Sequence, residues 1–282
     1  MHRYVDRDAG VRLWAEECGA PSGEPLLLVA PANQSGVAWP DELLTALGRR
    51  HRVIRYDHRD TGRSGVAEDP GEYGVTDLAA DALAVLDAFG VERAHVVGVA
   101  LGGLIAQLLL LDHPDRLRTA SLVCSTALRA ADDPALPAPD PALLRLWTEV
   151  EDPRDDEGEL DWRVEHWRLL HGTGSPFDAA GFRALEERVI AHSGRADPVA
   201  AHTYLDTTGL DRGAELAAVT VPTLVVEAPD DPVHPPPHSE HLAARIGRTA
   251  HPARLVRIPG MGHAVSAAVA GPLAAAVLAH TG

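Results

Sequence analysis

A chain of 282 residues with 45% hydrophobic side chains can bury one large core, and no run in it approaches the roughly 20 apolar residues that cross a bilayer. Its 41 acidic residues against 25 basic ones leave a formal charge of −16, which argues against nucleic acid and anionic membrane as partners. All the basic residues are arginine, and with so much Ala, Gly and Pro this reads as coding bias, not a site.

The first residues, Met1 to Asp8, lack an apolar signal region, so a cytoplasmic protein is expected. Arg12–Glu16 alternates as an early, partly exposed strand. Cys18 and Cys124 make neither a CxxC pair nor a zinc spacing, so buried thiols without a disulfide are expected. Leu26–Ala30 is a short continuous apolar run that fits a buried parallel strand. A helical pattern follows from Pro40 to about Leu47, then a strand over Val53–Tyr56. Thr76 or Asp77 is placed to cap a helix that runs to Phe89 and stops at Gly90. Ala94–Gly98 predicts a strand, Gly102 to about Leu111 a helix. Leu122–Ser125, Thr223–Glu227 and Leu255–Ile258 complete the strands, and Ser266 to His280 predicts a closing Ala-rich helix.

Strands alternating with helices imply an α/β fold with a mainly parallel sheet covered on both faces. The stretch 128–216 breaks the alternation. It opens Pro-rich and continues in helical segments bearing Trp147, Trp162, Trp167 and Tyr204. It predicts a helical cap over a pocket, with 1–127 and 217–282 forming the core. No internal repeat is seen.

The chemistry centres on Val96-Val97-Gly98-Val99-Ala100-Leu101-Gly102-Gly103. A nucleophile elbow reads Gly-x-Ser-x-Gly between a strand and a helix, because only small residues fit so tight a turn. Every element is here except the serine. Alanine has no lone pair and no ionisable proton, so no acyl-enzyme forms at this position. The spacing does not fit a dinucleotide loop. A plain structural corner is the bland alternative, but the rest of a triad follows in the order expected of this fold: carboxylates at Asp230 and Asp231 after a strand, then His263 in the loop Pro259-Gly260-Met261-Gly262-His263. Asp231 is the better acid and Asp230 the fallback. The oxyanion donors would be the backbone N–H groups of Leu101 and of Ala32; Pro31 has no N–H to give. Asn33, Ser35 and Ser125 are placed to face the pocket as hydrogen-bonding groups, and Trp147 or Trp167 to line it. His58, His234 and His238 match no metal spacing; surface or loop histidines are the simpler account, and neither a metal nor a cofactor is expected.

The chain resembles the α/β-hydrolase superfamily and, more narrowly, the aclacinomycin methylesterase group, which demethylates ester side chains of aromatic polyketides. The resemblance rests on Trp39–Glu42, Val53–Ser64, His95–Gly98, Gly172–Gly174 with Pro176–Asp178, and Pro259–Ala264. It implies that the family's serine falls on Ala100, its acid on Asp231, its histidine on His263 and its oxyanion donors on Ala32 and Leu101. Pro31, where the family tends to have glycine, is a second departure. Two departures at one site favour a non-hydrolytic, His263-dependent step on a hydrophobic polycyclic substrate: cyclisation, carbon–carbon or carbon–oxygen cleavage, elimination or isomerisation. A methyl ester hydrolase of the resembled type, carried as an inactive Ser→Ala variant, is the alternative. A ligand-binding protein without catalysis is the third reading.

Overall fold

The computed structural model describes residues 2–7, 10–67, 73–195, 201–249 and 251–282, with Ala201 and Tyr204 described by backbone alone. The strands are β1 (His2–Asp6), β2 (Arg12–Gly19), β3 (Glu24–Val29), β4 (His51–Tyr56), β5 (Ala94–Val99), β6 (Leu117–Val123), β7 (Thr223–Glu227) and β8 (Arg254–Arg257). They form a single eight-stranded sheet in the order β1-β2-β4-β3-β5-β6-β7-β8. β2 pairs antiparallel with both of its neighbours, β1 and β4, and the remaining pairs, from β4–β3 to β7–β8, are parallel, as the crossover helices require.

The helices are α1 (Asp41–Gly48), α2 (Val75–Ala88), α3 (Leu101–Asp112), α4 (Pro141–Trp147), α5 (Asp156–His171), α6 (Ala179–Ser193), α7 (His238–Arg245) and α8 (Ala267–Thr281). The period-2 rule divides them between the sheet's two faces. Leu27 and Val29 of β3 join a cluster with Leu86 of α2, Ile105 of α3 and Leu242 of α7. Leu26 and Leu28 point the other way, into a cluster with Leu43 of α1 and Leu273 of α8. Each of these fully buried leucines is worth ~1.5–3 kcal/mol by burial alone. Helix α3 is apolar on nearly every side because it is enclosed by sheet and neighbours.

Several expectations need correction. β1 was not anticipated: it is a short edge strand of mixed polar residues, and its pairing with β2 makes it visible only in three dimensions. Helix α7, which follows the Pro232–Pro237 stretch, was also missed. Helix α2 is capped by Gly74, not by Thr76 or Asp77; Asp77 is its third residue and accepts the Gly74 N–H at 2.8 Å.

Residues 128–216 run from β6 to β7 and carry α4, α5 and α6. Asp140, Asp155 and Asp178 cap these helices by accepting the N–H of Ala142, Gly158 and Gly181. Their apolar sides meet in a small cluster of Leu143, Trp167, Leu170 and Phe182 that also takes in Ala264, the neighbour of His263. No helix among the described residues is long and apolar enough to cross a membrane.

Candidate active site

The strand β5 passes into α3 through Ala100, whose backbone sits at φ 50° and ψ −110°. That is a strained conformation for a residue with a Cβ. The turn tolerates only glycine around it. A Cβ on Gly98 would stand 2.1 Å from the Gly102 carbonyl oxygen, and one on Gly102 would stand 2.2 Å from that of Val29. Ala100 N–H donates to the Val123 carbonyl at 3.0 Å, and Ser125 Oγ donates to the Ala100 carbonyl at 2.9 Å. Ser125 is fully buried, so its hydroxyl braces the turn from behind; the expectation that it faces the pocket is wrong.

On the opposite side, Asp231 follows β7 and His263 follows β8. His263 Nδ1 donates to both carboxylate oxygens of Asp231, at 2.9 and 3.0 Å, leaving Nε2 for the cavity whose wall His263 helps to form. Asp231, and not Asp230, is the partner. Its Oδ1 also accepts the N–H groups of Val233 and His234. Burial alone would raise the Asp231 carboxyl, but the His263 attraction, its hydrogen bond and the His234 N–H together hold it below the usual carboxylate value.

Two more imidazoles stand close by, and sequence reasoning missed their place in the site. The His234 ring lies 5.6 Å from that of His263, centroid to centroid, and its Nδ1–H donates to the Cys124 carbonyl. His166 of α5 accepts the Trp147 indole N–H at Nε2, so its own proton sits on Nδ1. Burial, aided by repulsion from His263, pushes each of these two histidines down to about 4, so both are neutral at pH 7. His58 and His238 are buried and hydrogen-bonded, not surface residues, and His234 is half-buried. Cys124, Asp231 and His263 bring candidate ligand atoms within 4.8 Å of one another. Burial raises the Cys124 thiol well above its usual value, whereas a metal needs the thiolate.

The cavity beside His263 has about 20 Å³ of room for water centres. Its wall includes Pro31, Gln34, Trp39, Trp167, Leu170 and His263. Trp167 is there, as expected. Trp147 is not; its indole serves His166 and its ring packs with the α4–α6 cluster. Trp39 was legible only as part of a family segment. Ala32 is exposed and outside the cavity wall, while Pro31 lies in it. Leu101 is buried at the start of α3, where a first-turn N–H has no intrahelical acceptor.

Asn33 is engaged elsewhere, which corrects its expected pocket role; Ser35 reaches the cavity wall, as expected, with its hydroxyl already committed. Asn33 exchanges hydrogen bonds with His202, its N–H donating to Nδ1 and its Oδ1 accepting the His202 N–H, each at 2.8 Å. Ser35 borders the cavity, but its hydroxyl donates to Asp57 at 2.5 Å and accepts the Val37 N–H. The fully buried Asp57 carboxylate also accepts the N–H of Gly36 and Arg63 and the Nε2 of His192 from α6, at 2.8 Å.

A strained turn after the fifth strand, opposite a carboxylate-held histidine after the eighth, is the geometry of one family, and its profile matches residues 24–267 under the description "alpha/beta hydrolase fold". The chain belongs to the α/β hydrolase fold family. It is 46% identical to rhodomycin D methylesterase DnrP of Streptomyces peucetius, over 99% of this chain and 97% of that one. It is 45% identical to rhodomycin D methylesterase DauP of Streptomyces sp. (strain C5), over the same shares. Within the family it therefore falls in the methylesterase group. Among solved structures, a hydrolase from Pseudomonas aeruginosa superposes with a TM-score of 0.76 at 28% identity, covering 100% of this chain and 98% of that one.

Proposed function

We propose that this α/β hydrolase acts on the carboxylic methyl ester of a polycyclic polyketide, with His263 activating water in place of the missing serine. The observation that carries the reading is the Asp231–His263 pair on the wall of a water-sized cavity, in a chain nearly half identical to methylesterases over its whole length. One water needs roughly 10–15 Å³ for its centre, and about 20 Å³ is open here. Water attacks the ester carbonyl as His263 Nε2 takes its proton. Asp231 steadies the imidazolium that forms. The Leu101 N–H and the positive end of α3 hold the oxyanion; Ala32, exposed and outside the cavity wall, takes no part. Collapse expels methoxide, which takes the proton back from His263 as methanol, and the acid loses its proton to solvent. Residues 128–216 serve as the cap over this site. Hydrolysis by a His263-activated water replaces the expected non-hydrolytic step and, unlike an esterase simply disabled by Ser→Ala, makes the covalent step dispensable.

The test is methyl-ester hydrolysis of a tetracyclic aromatic ester by the chain and by Ala100→Ser, followed as methanol release. We expect slow release from the chain and a gain of roughly 10²–10³-fold with the serine, since covalent catalysis is then restored. No release from either protein would sink the hydrolytic reading. Ala100 and Pro31 favour a second reading, in which the same His263 base drives an isomerisation or elimination; its mark is consumption of the substrate without methanol. Binding without turnover, unchanged in His263→Ala, would leave a ligand-binding protein.

A further inference from the structure

We infer that the ring system of the substrate lies in a groove between α1, α6 and the start of α8, with its ester at the mouth of the small cavity that holds the attacking water; this rests on the ester-hydrolysis reading above. The cavity is far too small for fused rings, because pockets for ligands of that size run roughly 300–1,000 Å³. The groove holds about 350 Å³ and shares Ala38, Pro40 and Val265 with the cavity, so the two spaces adjoin.

An aromatic wall runs from one to the other. Trp167 lines the cavity and stacks on Phe182, with centroids 4.9 Å apart and planes at 26°. Phe182 lines the groove and stacks in turn on Phe177, at 5.1 Å and 14°. Flat rings laid along this wall continue an existing stack. Two polar atoms also wait for partners. The Trp39 indole N–H, on the cavity side, and the Ser266 hydroxyl, on the groove side, are buried without a hydrogen-bond partner among the described residues. An orphaned buried donor costs ~1–3 kcal/mol, and hydroxyl or carbonyl groups on the edge of an aromatic polyketide supply what each lacks.

The groove also sorts ester from acid. Its rim carries Asp41, Glu42 and Asp178 against a single cation, Arg188, which pairs with Asp41 at 3.3 Å. A neutral ester enters this acidic rim without penalty. The carboxylate formed by hydrolysis is repelled, so the product leaves more readily than the substrate.

The experiment measures binding of a neutral tetracyclic aromatic methyl ester and of its free acid by calorimetry, with methyl butanoate turnover followed separately in an Ala100→Ser background. Ala184→Trp fills the groove from an exposed position on α6, and Ser266→Ala removes the orphaned hydroxyl. We expect Ala184→Trp to weaken the tetracyclic ester by about tenfold or more while methyl butanoate turnover stays within about twofold, and Ser266→Ala to weaken binding several-fold. The acid should bind about tenfold more weakly than the ester at low salt, the gap closing as salt rises. Unchanged tetracycle affinity in both variants, or an equal fall in methyl butanoate turnover, overturns the groove assignment; equal affinity for acid and ester overturns the sorting. Loss of methanol release in the Ala100→Ser protein with tetracycle binding and its Ala184→Trp sensitivity intact strikes the hydrolytic reading and spares the groove.

Discussion

One wall of the cavity, at the ends of β7 and β8, keeps an intact hydrogen-bonded pair: a buried carboxylate fixed by two backbone N–H groups and holding an imidazole from behind. The facing wall, at the ends of β3 and β5, keeps the shape of a nucleophile turn without its oxygen, and Pro31, which has no N–H to give, lines the cavity beside it. The glycines that let the turn close and the serine that braces it are all in place. The contrast separates two things that usually travel together. The strained backbone of an elbow is held by its surroundings, and it survives the loss of the group it exists to present.

The largest expected effect breaks the intact wall. In the Ala100→Ser background, Asp231→Asn should lower kcat for methyl-ester hydrolysis by roughly 10³–10⁴-fold, because the imidazolium loses its counter-charge and His263 its fixed tautomer. A loss below tenfold would mean that the pair is not a relay. The next concerns the stripped wall. Gly102→Ala forces a Cβ against the Val29 carbonyl, and unfolding in urea should show a loss of ~2–4 kcal/mol.

A third prediction follows from the neutral histidines that surround both walls. Burial lowers His166 and His234 to about 4 and His202 to about 3. Their folded-state values lie below the unfolded value near 6.5, so the unfolded chain binds more protons between pH 6.5 and 4. Stability should therefore be full above about pH 6.5 and fall as the pH drops towards 4. His202→Gln should flatten that slope by close to one proton, read from melting temperature against pH. The smallest effect is Ala100→Gly, which relieves the positive φ; net of the added freedom of the unfolded chain, a gain of about 1 kcal/mol is expected. A loss would show that the Ala100 methyl is a packing contact.

Much of this was legible in the sequence because it was written in local signals. Buried parallel strands such as Leu26–Val29 read as continuous apolar runs, and the elbow glycines sit at fixed offsets. The Asp231 and His263 positions followed from chain order. What escaped depends on long-range pairing. Nothing near Ser35 or Asn33 in sequence announces that their polar atoms go to Asp57 and to His202, the latter 169 positions away. His166 and Trp39 come to the site from elements whose own patterns describe only helix and loop. Ser125 was placed at the right strand end but on the wrong side of it, because a residue just past a strand has no fixed face until the turn that follows is known.

The Asp57 carboxylate fastens α6 at its last turn, where His192 reaches it, while the first turn of the same helix is exposed around Asp178. Separating His192 from Asp57 would take one hydrogen bond from a fully buried carboxylate, at a cost of ~1–3 kcal/mol. One buried carboxylate thus works as a rivet through three separate stretches of the chain: the loop after β3, the turn after β4 and the end of α6.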